Sequence, residues 1–197
     1  MVQDNRESSA IGAYRKSKLS IHELTSVALM ASVLALLAQI AVPVGPVPFT
    51  LQSIGIIAAA LLLPRKNAVL AIVVYILLGL VGLPVFSCGR GGIGILAGPS
   101  GGFLYGFILA VWLAASLLNK GAAMSLRRTY MAAFAAMPCY FTIGTLHCAL
   151  VLHVSLPVAF MAATVPFLAI DALKILVCAP LIWKIRRLLH MQLPGQF

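Results

Sequence analysis

Three charged residues in this sequence stand apart from the rest. Asp171 and Lys174 interrupt the apolar run LAIDALKILV, and Arg90 lies in the glycine-rich stretch PVFSCGRGGIGILAGPSGG, residues 84–102. An aspartate only accepts hydrogen bonds, a lysine only donates them, and a spacing of three places both on one face of a helix. A charge near the centre of a bilayer costs about 2.5–3.5 kcal/mol on insertion scales, so such residues are functional candidates by default. Two readings are open. The pair locks its helix as a structural ion pair, or it grips a polar ligand where the low dielectric strengthens each contact. Arg90 is either a solvated loop cation or a planar guanidinium that attracts a carboxylate.

Other chemistries are excluded. GRGGIG, residues 89–94, has the GxGxxG form, but no βαβ unit fits between two membrane spans, so dinucleotide binding is rejected. No Walker lysine-serine follows a glycine loop. Cys88, Cys139, Cys148 and Cys178 lack CxxC or Cys/His ligand spacing, and three of them sit in apolar runs as packing residues. Neither a metal nor a cofactor is expected. There is no HExxH, no Ser/His/Asp set and no second carboxylate for acid–base work, so the chain does not read as an enzyme. His147 and His153 read as packed or interfacial.

These residues are set in a chain of 197 residues that is 62% hydrophobic and only 9% charged. Soluble domains carry about 25% charged residues, so an integral membrane protein is expected. Apolar runs near the ~20-residue length of a span predict six transmembrane helices, at 21–42, 51–63, 67–83, 101–119, 129–152 and 166–189. The expected fold is an all-α six-helix bundle in one membrane domain, 21–190, with cytoplasmic tails at 1–20 and 191–197. The second span is short.

The basic residues set the orientation. Besides Arg90 and Lys174 there are Arg6, Arg15, Lys16, Lys18, Arg65, Lys66, Lys120, Arg127, Arg128, Lys184, Arg186 and Arg187. All of these fall on one face when both termini are inside, which makes that face cytoplasmic and the chain a multi-pass protein of the cell membrane. The net charge of +10 is thus a topology signal at an anionic lipid surface and not a nucleic-acid footprint. The acids are scarcer: Asp4, Glu7 and Glu23 near the N-terminus, and then Asp171 alone.

Three irregular segments then gather on the outer face: VPVGPVPFTLQ at 42–52, the glycine stretch, and HVSLPVAFMAATVPF at 153–167. Irregular backbone at membrane depth is tolerated where it lines a cavity or is buried in protein. A pocket open to the outside, beside Asp171 and Lys174, is expected. Gly98, Gly102 and Gly106 recur every four residues, a pattern for close helix packing at the start of the fourth span. Gly89, Gly91 and Gly92 around Arg90 have no such period and suit a loop over the pocket. On the first helix, Ala28, Ala31, Ser32 and Ala35 form small-xxx-small pairs, which fit either packing inside the bundle or a docking face for another membrane protein.

The motifs VPVGPVPFTLQ, GLPVF, GRGGIGILAGPSGG and PFLAIDALK, in this order and spacing, resemble the BioY family, the biotin-specific substrate-binding S component of energy-coupling factor transporters. The resemblance covers about residues 24–185. It implies a vitamin pocket near the outer face, with biotin contacted by Asp171 and Lys174, and a lid region that includes Phe49 and Gln52. Phe86 and Phe103 fall in the matched motifs beside the pocket. It implies docking of a membrane coupling protein, with two cytoplasmic ATPases, on the face of Ala31 and Ala35; a homo-oligomer is a further possibility. Arg90 stands where members of the family can carry a ligand-contacting asparagine, and Phe103 where a tyrosine commonly follows GPSGG. The alternatives are an S component for another small anionic vitamin or a biotin precursor, or a membrane scaffold whose buried charges are structural.

Overall fold

The computed structural model describes residues 20–43, 45–118 and 125–192. Residues 1–19 with their basic and acidic side chains, the loop residue Lys120 and residues 193–197 lie outside these. The described chain is helical apart from one small hairpin. Helix α1, Ile21–Gln39, opens on a capping box in which Ser20 Oγ accepts from Glu23 N at 3.2 Å and the Glu23 carboxylate accepts from Ser20 N at 2.8 Å. Glu23 is therefore explained by helix initiation.

Helix α1 ends three residues before the expected boundary. The chain turns instead through a hairpin of two-residue strands, β1 at Ala41–Val42 and β2 at Phe49–Thr50, paired antiparallel. The cause is local: Pro43 favours extended backbone at Val42, the end of β1, Gly45 turns the chain at φ +64°, and Pro46 and Pro48 cannot donate a helical N–H. Helix α2, Gln52–Leu62, is only 11 residues and is joined to α3, Arg65–Leu80, by Leu63 and Pro64. A turn containing Gly82 at φ +100° ends α3.

The glycine stretch holds more structure than expected. A 3-10 turn at Ser87–Gly89 is followed by a short helix α4, Ile93–Ala97, and then by α5, Gly101–Leu118. Helix α6, Leu126–Leu152, begins at the Ser125 cap and packs antiparallel along α5. The segment 153–167, expected to be irregular, contains helix α7, Leu156–Ala163. Pro157 lies in its first turn, where the missing N–H costs nothing. Thr164 breaks the chain, and α8, Val165–Gln192, follows.

Among the described residues, four helices, α1, α5, α6 and α8, are long and apolar enough to cross a membrane. Their outer faces carry exposed Leu29, Leu36, Trp112, Leu150, Leu173 and Leu181, as lipid-facing surfaces do. The expected close packing holds at α5 and α6. A Cβ on Gly102 would meet His147 Cβ at 2.3 Å, and one on Gly106 would meet Tyr140 Cα at 2.5 Å. Gly98 lies before the helix, where its carbonyl meets His147 Nε2 at 3.1 Å.

At one end of the bundle, the Arg186 guanidinium donates to the Leu61 carbonyl at 2.6 Å and Arg65 reaches Ser116 Oγ at 3.5 Å. The α2–α3 connection, the end of α5 and the last turns of α8 thus share an end.

Candidate functional site

The Asp171 and Lys174 side chains meet one turn apart on α8, with Nζ 2.6 Å from Oδ1. Both are buried, at 6% and 9% exposure. Other elements complete the cluster. Ser53, at the start of α2, donates to Asp171 Oδ1 at 3.0 Å, and Tyr140 of α6 donates to Oδ2 at 2.8 Å. Lys174 also donates to the Thr50 carbonyl at 2.6 Å and contacts Ser53 Oγ at 3.3 Å. Its ammonium lies 4.0 Å from the centroid of the Phe49 ring, which is stacked on Phe167. A cation over an aromatic face gains electrostatically from the ring quadrupole.

The three protons of Lys174 are all engaged. The carboxylate, with about four lone-pair sites, accepts three hydrogen bonds and keeps one site free. The cluster forms the polar end of a pocket with about 610 Å³ of space between its atoms, part of it open to solvent. Phe86, Phe103, Phe107, Phe141 and Phe167 supply an aromatic wall. Such a site suits a small ligand with an apolar body and a compact head that both donates and accepts.

Residues 13–191 match the model described as the BioY family. The biotin transporter BioY of Thermotoga maritima is 32% identical over 169 residues, covering 85% of this chain and 98% of that protein. The probable biotin transporter BioY of Bacillus subtilis is 37% identical, covering 87% and 91%. The chain belongs to the BioY family. A crystal structure of the S-component for biotin from an ECF-type ABC transporter has the same fold, with a TM-score of 0.79 over 86% of this chain and 95% of that one, at 23% identity. The BioY fold is an all-α, multi-spanning membrane fold, and this chain shares it.

In this BioY chain the structure gathers Asp171, Lys174, Gln52, Phe86 and Phe103 around one pocket. Phe49 stands behind Lys174 and does not line it. Gly89, Gly91 and Gly92 also do not line it; they shape the loop. Gly91 packs its α-carbon where a Cβ would lie 2.3 Å from the Leu83 carbonyl, and Gly92, at φ +90°, donates to the Gly79 carbonyl at 2.7 Å. Arg90 is exposed and outside the pocket lining. Its guanidinium folds back on Ser87, with Nε 3.0 Å from the carbonyl oxygen and Nη2 3.1 Å from Oγ. Arg90 therefore reaches the pocket only through Ser87, which does line it.

The small residues of α1 do not form one face. Ala31 is 1% exposed and packs inside the bundle with Val27, Met30, Leu34 and Ala38. Ala28 and Ser32 are exposed and Ala35 is half-buried. The expectation of Ala31 on a docking surface is corrected accordingly: the buried stripe of α1 takes it. His147 is half-buried against Gly98 and the Tyr105 ring, and His153 caps the end of α6 at φ +53°.

Sequence reasoning missed Ser53, Tyr140 and the Thr50 carbonyl. Ser53 adjoins Gln52 in a recognised motif, which was the available signal. Tyr140 had none beyond a phenol in an apolar run.

Proposed function

We propose that this protein is the biotin-binding membrane component of an uptake transporter, a carrier and not an enzyme. The observation that carries the reading is the Asp171–Lys174 pair at the buried end of an aromatic pocket, in a chain of the BioY family. Biotin has an apolar ring and chain, a ureido group with two N–H donors and one carbonyl acceptor, and a carboxylate. Asp171 would hold an N–H of the ureido head through its free acceptor site, and Lys174 would reach the ureido carbonyl by giving up its longest contact, Ser53 Oγ at 3.3 Å. Arg90 has guanidinium protons beyond the two bound to Ser87, and these would draw the carboxylate to the pocket mouth. Six spans with both termini cytoplasmic fit Arg65 and Arg186, which share the end of the bundle away from the cluster. A membrane coupling protein with ATPase subunits would supply the energy, as S components require.

Purified protein in detergent should bind biotin in the nanomolar range by titration calorimetry. Absence of binding by folded protein would return the pair to a structural role or point to another anionic vitamin. Arg90→Asn should leave equilibrium affinity within about threefold, because the residue stands outside the pocket, while slowing association and weakening its salt dependence. A strong loss for biotin that spares biotin methyl ester would instead make Arg90 a direct carboxylate clamp. On α1, Ser32→Trp should preserve binding and abolish uptake, since bulk beside Ala28 blocks close approach of a partner helix. Normal uptake by that variant would move the docking face elsewhere.

A further inference from the structure

Part of the pocket wall is set from behind by a residue that never reaches the cavity. Tyr75 on α3 is 0% exposed and does not line the pocket. Its hydroxyl oxygen is 2.6 Å from Gln52 Nε2 and 3.2 Å from the Val85 carbonyl oxygen. A carbonyl only accepts, so the phenol proton goes to Val85, and the phenol's lone pair must take its proton from Gln52. This fixes the amide. Its NH2 faces Tyr75, and Oε1 faces Thr50, whose hydroxyl donates to it at 2.8 Å. Oε1 retains a second lone pair, and both Thr50 and Gln52 line the pocket.

The same residue seats Phe86. The Tyr75 and Phe86 rings meet edge to face, 5.6 Å apart at 82°. One turn further along α3 is Gly79, where a Cβ would lie 2.0 Å from the tip of the Phe86 ring. Helix α3 is thus a mould: an edge at Tyr75, a socket at Gly79, and a hydroxyl that joins Gln52 to the backbone beside Phe86.

We propose that Tyr75 is a positioning residue that sets the polarity of the pocket, orienting Gln52 so that a carbonyl acceptor faces an N–H donor of the ligand. The inference deepens the biotin reading and rests on it. With the free lone-pair site of Asp171, Gln52 Oε1 supplies a second acceptor, which matches the two N–H groups of a ureido ring.

Tyr75→Phe tests this, because it keeps the ring against Phe86 and removes only the hydroxyl. Binding is measured for biotin and for each of its two ureido N-methyl analogues, with thermal melting in detergent as the check on folding. Biotin affinity should fall about tenfold, the loss of an ordinary polar contact and its orientation. The affinity for one N-methyl analogue should stay nearly constant, so the preference for biotin narrows. Gln52→Met, which keeps the side-chain length without the amide, should narrow the same preference, and adding Tyr75→Phe to it should change biotin affinity by less than about twofold. A variant indistinguishable from wild type, an equal loss for all three ligands, or a full further loss in the Gln52→Met background would each overturn the proposal and leave Tyr75 a packing residue. If wild-type protein binds no biotin, the functional reading falls and takes this inference with it; wild-type binding with an unaffected Tyr75→Phe removes the inference alone.

Discussion

Asp171→Asn should lower biotin affinity by at least about a hundredfold, and Lys174→Ala by as much. Removing one partner of a buried ion pair typically costs about 3–5 kcal/mol, and each 1.4 kcal/mol is tenfold in binding. The surroundings make both changes severe. Asp171 takes protons from Lys174, Ser53 and Tyr140, so an asparagine must turn its NH2 toward one of these donors. At the Oδ2 position Tyr140 can answer by reversing its hydroxyl, whereas at the Oδ1 position the NH2 would meet the Lys174 ammonium, which only donates. Lys174 would then face the Thr50 carbonyl and a neutral amide with no counter-charge. The double change Asp171→Leu with Lys174→Met separates binding from stability. Apolar replacement of a whole buried pair is often neutral or stabilising, so the double variant should melt no lower than wild type and still fail to bind. Calorimetry and melting of the three variants check this. Affinity within tenfold of wild type in either single variant would assign the pair to structure alone.

Gly106→Ala should lower the melting temperature by about 2 to 12 °C, from an overpacking cost of about 1–3 kcal/mol in a chain of this size. The added methyl would lie 2.5 Å from Tyr140 Cα and 3.3 Å from its carbonyl oxygen. Both are backbone, so no side chain can swing away and the helices α5 and α6 must separate. Tyr140 moves with α6, and its hydrogen bond to Asp171 stretches. Biotin affinity should therefore fall with stability. Gly94→Ala is the control: its Cβ would meet nothing within 4 Å, and both properties should hold. Tyr140→Phe divides the effect, since it removes the hydroxyl and leaves the helix contact intact. Wild-type melting for Gly106→Ala would disprove the tight α5–α6 seam.

What the sequence revealed of this site follows the cost of each group. Asp171 and Lys174 were visible because an ionised side chain in an apolar run needs a reason. Gly102 and Gly106 were visible because a four-residue period survives any uncertainty in helix boundaries. Ser53 and Tyr140 were hidden because hydroxyls are cheap. A serine in a helix satisfies itself on a carbonyl of the preceding turn, as Ser32 does on Ala28 and Ser116 on Trp112. Nothing local separates those from Ser53, which bonds to a residue 118 positions away. Ala31 was misplaced for a related reason. Lipid and bundle core are both apolar, so the pattern along α1 does not say which stripe turns inward. Helix α7 was missed because the segment 153–167 reads as irregular, although its Pro157 stands at a position where proline starts a helix. Arg90 lies in a loop whose path depends on contacts with Gln39, Tyr75 and Gly79, none of which is near it in sequence.

The short distance between Asp171 and Lys174 has an electrical consequence. An elementary charge moved across a membrane at 100 mV exchanges about 2.3 kcal/mol with the field. Two opposite charges 2.6 Å apart on one helix travel together, so their work in the field cancels whatever path the helix takes. On the transport reading proposed above, moving the empty site through the field would displace almost no net charge from this pair. A bound monoanion would break that balance, and the voltage sensitivity of the loaded step would then belong to the cargo.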